Sequence, residues 1–233
     1  MGDYFSFDRF LVRIGQITPY VLVNFKMVFW AMLIGTICAI AVAILRLKKI
    51  PVIEQILIVF ISYMRGTPLL VQMCVAYYGI PIVFGNLIYN AFGINLNRLD
   101  AIVFVIIAFI LNEAAFLGEI FRGAILSVPT VQTEAGLSIG MTRLQILFRI
   151  VLPQAINVAI PQYGVDLIGV FHNTALAFTL GVLDMMSRAR TLGVSTGHTL
   201  EGFVVVAIIY IIISLILKAL FYLLEKKFQY GRR

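Results

Sequence analysis

The sequence predicts an all-α membrane protein of about five spanning helices, and three observations carry that expectation. Only 12% of the 233 residues are charged and 61% are hydrophobic, whereas soluble domains carry about 25% charged residues. Long windows contain no Asp, Glu, Lys or Arg at all: 27–45, 66–97, 101–112, 150–165 and 202–217. Each reaches or approaches the ~20 residues a helix needs to cross a bilayer. The windows also do not alternate. IIYIIISLIL and VFVIIAFIL are apolar on every face, whereas a membrane β-barrel strand alternates over ~10 residues.

In chain order, the N-terminus MGDYFSFDRFLVRIGQ is acidic, then basic, and has no compact cleavable hydrophobic region, so the first span is expected to remain as an anchor. Gly2 and Ser6 match an acylation pattern only in part; the match reads as chance. The first span covers about 19–45 and stops at RLKKIP. The second covers about 52–78, with a kink at Gly66, Thr67 and Pro68, where proline removes a backbone donor. Residues 79–97 read as a Gly/Asn-rich loop with a short interfacial helix. The third span starts at Asp100 and ends near 124. The fourth covers about 154–171. A polar, glycine-bearing stretch at 181–200 leads into the fifth, about 202–224, and the tail EKKFQYGRR.

Basic residues near span ends set orientation. One side receives Arg46, Lys48, Lys49, Arg122, Arg143, Arg149, Lys226, Lys227, Arg232 and Arg233; the other receives Arg9, Arg13, Lys26, Arg98, Arg188 and Arg190. The bias places the C-terminus and residues 125–152 in the cytoplasm and the N-terminus outside, as an odd number of spans requires. The net charge of +7 is then mainly a topology signal and needs no nucleic-acid partner. Cys38 and Cys74 fall in different spans and read as small core hydrophobes. Neither His172 nor His198 has ligand spacing with a cysteine or a second histidine, so no metal site is expected. There is no HExxH, no nucleophile–base pair and no Walker A motif, which argues against an embedded enzyme and against ATP hydrolysis by this chain.

The segment TEAGLSIGMTRLQILFRIVLP (133–153) is too polar to lie inside lipid. Pro129 ends the preceding helix, Thr130 can cap a short one, and Gly140 closes it. Thr142 and Gln145 fit a capping box. The helix they open carries Leu144, Leu147, Phe148 and Val151 as one apolar stripe, and Pro153 punctuates before the fourth span. The first short helix presents Glu134, Ala135, Gly136 and Ser138. From the residues alone, docking to a soluble partner and lying on the lipid are equally good readings. Within the spans, Asn112 and Glu113 lie mid-helix, and Glu119 and Arg122 read as a structural ion pair. Gln162, Asp166, Gly169 and Asn173 repeat at i, i+4, i+7 and i+11, a single polar stripe with His172 and Thr174 at its end. Ionisable residues at such depth face a cavity or a partner.

The 133–153 segment resembles the EAA loop of the membrane subunits of bacterial ABC importers. YMRGTPLLVQ, AYYGIP, LNEAAFLGEIFRGAILSVP and LPQAINVAIPQYGVDLIGVFHNTALAFTLGVLDM resemble, in order, motifs of the polar amino acid permease branch of that family. The similarity covers about 18–225 of a single permease domain, 1–233, with 125–152 as its coupling loop. It implies the type I importer fold in a bacterial cell membrane. It implies that Glu134, Ala135, Gly136 and Gly140 couple to a cytoplasmic ABC ATPase dimer, which binds ATP and Mg; this chain would hold no cofactor of its own and would not be an enzyme. It further implies a second permease subunit and an extracytoplasmic substrate-binding protein. A zwitterionic amino acid needs an acceptor for its ammonium, for which Asp166 and Glu113 are candidates. It also needs donors for its carboxylate, for which Asn112, His172, Asn173 and Thr174 are candidates. ALAFTLGV resembles the cystine-type permeases, so the expected substrate is a polar or sulfur-containing amino acid such as cystine; glutamine or basic amino acids are the alternative. Gly136 stands where the family has Ala, and His172 and Asn173 stand where it has Lys and Asp. From a different class, a self-sufficient secondary transporter would carry inverted repeats, and none is visible.

Overall fold

The computed structural model describes residues 5–229, with side chains to residue 227. Gly2, Arg232 and Arg233 lie outside the described residues. The helices are α1 (Phe7–Ile17), α2 (Val21–Lys48), α3 (Pro51–Gly66), α4 (Leu69–Cys74), α5 (Ile80–Phe92), α6 (Ala101–Leu126), α7 (Thr130–Ser138), α8 (Arg143–Ile146), α9 (Leu152–Asn173), α10 (Met185–Thr196) and α11 (Leu200–Gln229). No strand occurs among the described residues. Five helical stretches are long and apolar enough to cross a membrane: Phe7–Lys48, Leu69–Phe92, Ala101–Leu126, Arg143–Leu180 and Leu200–Lys227.

The termini of these helices follow from local chemistry. Lys49, at φ 51°, is left-handed and ends α2, and Pro51 opens α3 where its missing N–H costs nothing. The Asp100 side chain accepts from Ile102 N at 2.9 Å to start α6, and Asp184 accepts from Ser187 N at 2.8 Å to start α10. Thr142 and Gln145 form the expected capping box, with Thr142 N donating to Gln145 Oε1 at 2.8 Å.

α2 and α6 are the most intimately packed pair. Small residues let them approach: Ala31, Ala39, Ala43, Ala108, Ala114 and Ala115 are all buried, as expected where van der Waals contact rather than water drives helix association. Gly35 is required by that approach, since a Cβ there would stand 2.7 Å from Glu113 Cβ. Around this pair, Met27, Phe104, Val105, Phe109, Phe171 and Val205 fill one core shared by α2, α6, α9 and α11. Outward, Leu22, Phe29, Ile37, Ile211, Leu215 and many others are exposed apolar residues, the surface a bilayer covers.

The structure corrects or refines the sequence reading at several points. The second span is not one kinked helix: Thr67 is extended at φ −118°, ψ 147°, and the chain breaks between α3 and α4, because the residue before proline is driven out of the helical region. Residues 79–97 are largely helix, not loop: α4 runs through a π-helical turn, Val75–Gly79, into α5. Pro153 does not interrupt the fourth span, which continues from α8 through a second π turn, Leu147–Val151, into α9, with Pro153 falling directly after that turn. The apolar stripe of α8 is turned outward, with Leu144 and Phe148 exposed and Ile146 buried. The polar stretch 181–200 contains the ordered α10, and α1 precedes the first span as a helix of its own.

Candidate functional site

The break between α3 and α4 is held by side chains. Gln72 Nε2 reaches Met64 O at 2.7 Å and Thr67 O at 3.0 Å, satisfying carbonyls that the break frees. Asn112 Nδ2 in turn donates to Gln72 Oε1 at 2.9 Å. This bracing ends α3 with Arg65 beside α6, its guanidinium 5.3 Å from the centre of the Phe116 ring, within cation–π range.

Arg65, Phe116, Glu119, Ile120, Gln162, Val165 and Asp166 line a cleft of about 410 Å³ between α3, α6 and α9. No carboxylate lies within ion-pair distance of Arg65 among the described residues. Asp166 Oδ2 is buried without a hydrogen bond, and so is Glu113 Oε2. Glu113 is 3% exposed, backed by Gly35, and its carboxyl interacts with that of Asp166. Two carboxyls, each with one unbonded oxygen, therefore adjoin between α6 and α9, and Asp166 shares the cleft with the exposed Arg65 of α3. Buried polar atoms left unbonded within the spans are costly. The rest of the α9 stripe is open as well: Gln162 and Asn173 are exposed, although they sit in a helix that crosses apolar surroundings.

The expected site residues thus divide. Glu113 and Asp166 come together, and of the two Asp166 lines the cleft. Asn112 is occupied with Gln72. Thr174 is fully buried, and its hydroxyl meets Asn24 Nδ2 at 2.8 Å and Tyr210 OH at 3.1 Å. His172 Nε2 lies 2.7 Å from Ser214 Oγ on α11. Asn24 also donates to Asp184 Oδ2 at 3.2 Å, completing a buried polar knot. Burial pushes the Asp184 carboxyl above the ordinary aspartate range, against the opposing pull of the Ser187 amide and Asn24. Arg65 was not among the expected site residues. Its signal was present: a charge closing the apolar run 56–64 of α3, directly before Gly-Thr-Pro.

Glu119, which closes one end of the cleft, is fully engaged. It accepts from Arg122 Nη2 at 2.6 Å and from Arg46 Nε at 3.5 Å, and Arg46 Nη1 also reaches Glu54 Oε1 at 3.1 Å. The expected Glu119–Arg122 pair is therefore present and belongs to a four-residue cluster.

The short helix α7 projects beyond α6. Glu134, Ala135, Leu137 and Ser138 on it are exposed, and Val131, Ile139, Leu144 and Phe148 add exposed apolar surface around them. Gly136 is not on that surface. It is buried, and a Cβ there would meet Ile146 Cγ1 at 2.9 Å, which is a packing reason for glycine at this position. Met141 N donates to Gly136 O at 3.0 Å, and Gly140, at φ 81°, makes the turn. Gln132 and Gln154 exchange side-chain hydrogen bonds and tie α7 to α9. Among the described residues no group of three potential ligands could hold a metal ion, and Cys38 and Cys74 are free thiols.

Residues 31–230 match the family model described as "binding-protein-dependent transport system inner membrane component". The chain is 35% identical over 226 residues to the L-cystine transport system permease protein TcyL of Bacillus subtilis (strain 168), covering 96% of this chain and 92% of the relative. It is equally 35% identical, over 213 residues, to the histidine/lysine/arginine/ornithine transport system permease protein HisM of Escherichia coli (strain K12), covering 89% and 86%. A solved structure described as an amino acid ABC transporter with histidines superposes at a TM-score of 0.79, with 26% identity over 97% of this chain and 99% of that one.

Proposed function

This chain belongs to the inner membrane components of binding-protein-dependent transport systems, within the amino acid ABC permeases, and on that premise we propose that it forms half of an amino acid import path. A second copy, or a similar subunit, supplies the other half. The family's architecture is the type I ABC importer fold, and its members are transport components rather than enzymes.

The observation that carries the proposal is the polar stripe Gln162–Asp166–Gly169–Asn173 of α9, exposed at Gln162 and Asn173, half-buried at Asp166 and Gly169, with Gln162 and Asp166 lining the cleft. Polar groups exposed on a spanning helix need water or a partner copy, not lipid. Arg65 is placed to receive an α-carboxylate in the two-pronged manner of a guanidinium, and Asp166, flanked by Glu113, to receive an α-ammonium. Both relatives are 35% identical to the chain, the first over more of it, so the substrate class is a polar amino acid. Cystine, the substrate that the name of TcyL prints, is the first candidate, and the basic amino acids in the name of HisM are the second. Asn173 and His172 lie farther along the same stripe, at the end of α9.

On the other face, α7 would dock in a separate cytoplasmic ATPase dimer, which binds the ATP and Mg. Glu134 would pair with a basic group of that partner, Ala135 would allow close approach, and Gly136, buried on Ile146, and Gly140 would fix the shape of the knob. Nucleotide-driven movement of the ATPase would then bias the spans between two states. The charge bias favours α7 and the C-terminus in the cytoplasm, with the extracytoplasmic binding protein on the opposite face.

The test is copurification from the native membrane. A P-loop ATPase should accompany the native chain and be lost with Glu134→Arg. A chain that purifies alone in both forms, and moves an amino acid into liposomes without ATP, would instead mark a secondary transporter.

A further inference from the structure

The helical run that begins at α1 is too long for one crossing. Phe7–Lys48 is continuous over 42 residues. At a rise of ~1.5 Å per residue that is about 60 Å, twice the ~30 Å hydrocarbon core. α2 alone, at 28 residues, is long enough. α1 is joined to it through the 3₁₀ turn Thr18–Tyr20 that contains Pro19, so α1 lies outside the crossing.

Side chains fix where it goes. Ser6 N donates to Glu201 Oε1 at 3.0 Å. Arg13, only 3% exposed, donates through Nη2 to Thr196 Oγ1 at 2.7 Å and to Leu192 O at 3.4 Å. The N-terminal end and the middle of α1 are therefore held at the junction of α10 and α11, where His198 Nδ1 also meets Glu201 at 3.4 Å. The helix does not project away from the bundle.

This tether also fixes its rotation, and the 100° step of a helix then sorts the remaining residues into arcs. Arg13, Ile17 and Phe10 face the protein. Next to them, Ile14, Phe7 and Leu11 form an apolar arc, 37%, 65% and 51% exposed. Beyond that arc come Asp8, Gly15, Gln16 and Arg9, all exposed, with Val12 among them. A helix with a protein face, an apolar face and a polar face in that order fits a membrane surface.

We propose that α1 lies along the bilayer surface as an interfacial anchor, with Phe7, Leu11 and Ile14 in the acyl region and Asp8, Arg9 and Gln16 in water. The occupant of its apolar arc is lipid, because that arc continues into the exposed apolar surface of α2 at Leu22, Phe25 and Phe29. The Arg13 and Glu201 contacts hold the arc at the correct rotation.

The experiment uses the complex in proteoliposomes. Trp30, the single tryptophan, is first replaced by Phe. A tryptophan is then placed in the apolar arc (Leu11→Trp) or the polar arc (Gln16→Trp), and fluorescence is compared in phosphatidylcholine and in its brominated analogue. Leu11→Trp should be quenched by the bromolipid about threefold more strongly than Gln16→Trp, and Arg13→Gln should narrow that difference. If Leu11→Trp fails to assemble, Phe7→Trp samples the same arc. Equal quenching of the two positions would overturn the proposal. So would a Leu11→Trp that bromolipid leaves untouched but that added soluble binding protein shields from aqueous iodide, which would make the arc a protein-docking surface. The readout needs no substrate, so it stands or falls separately from the import reading.

Discussion

Glu113 and Glu119 lie on the same helix, fewer than two turns apart, and their surroundings are opposite. Glu119 sits in a cluster of two guanidiniums and two carboxylates, Arg46, Arg122, Glu54 and Glu119, joined by contacts of 2.6–3.5 Å. The cluster is neutral as a whole, and its members brace α2, α3 and α6 against one another. Glu113 has another carboxyl, Asp166, as its neighbour, and one oxygen on each lacks a partner. The guanidinium that could compensate them, Arg65, stacks on Phe116 instead. Charges that satisfy one another act as structure. Carboxyl oxygens left unbonded in the same bundle mark where something else must enter, because the cost of burying them is otherwise unrecovered.

The largest expected difference is in stability. Glu119→Ala leaves Arg46 and Arg122 without their shared acceptor and should cost about 2–3 kcal/mol, the lower end of the range for breaking a buried pair because the cluster is partly exposed. Glu113→Gln should cost less than about 1 kcal/mol, since no resolved hydrogen bond to the unpartnered oxygen is lost. Thermal unfolding of the purified complex compares the two, and equal losses would erase the distinction between the regions.

Arg65→Lys sharpens the comparison. It keeps the charge but removes the planar fork and its stacking on Phe116. Uptake by the reconstituted importer should fall about fivefold, near 1 kcal/mol, with assembly intact. Unchanged uptake would make Arg65 a packing residue.

The smallest effect is expected at Asp184, a buried carboxyl whose oxygens do have donors. Asp184→Asn keeps an acceptor for Ser187 N and should shift stability by less than about 1 kcal/mol. The pH dependence has a defined sign. Burial raises the folded-state pKa above the ordinary 3.8, so the folded form binds the proton more tightly than the unfolded chain. The favourable contribution is complete below 3.8 and is lost as pH rises through the raised value. A native chain that gained stability from this group on raising the pH through that window, relative to Asp184→Asn, would contradict the assignment.

The sequence made the spans at α2, α6, α9 and α11 legible because uncharged windows of sufficient length leave little else for the chain to do. It made the capping box at Thr142 and Gln145 legible because caps are local chemistry. It did not show the α3–α4 break, because whether a proline bends or breaks a helix depends on a side chain able to satisfy the freed carbonyls, here Gln72, and Gln72 is held by Asn112, forty residues away. At the site, Asp166 and Glu113 stood out as lone acids in apolar runs. Thr174 and Asn112 carried equally polar side chains, but their partners, Asn24, Tyr210 and Gln72, lie tens of residues away, and nothing local separates an engaged polar group from a free one. Gly136 had the same limitation: only the packing of Ile146 against it explains the missing methyl.

The unbonded carboxyl oxygens beside the cleft are assigned to the amino acid's path. Asp166→Asn tests this assignment most directly, measured as ATP-driven uptake of cystine and of a basic amino acid by the complete complex in proteoliposomes. The account expects uptake to fall about tenfold or more, the loss of one charge-assisted contact, while copurification of the ATPase and thermal stability stay unchanged. Uptake and substrate preference equal to those of the native chain would show that the path runs elsewhere.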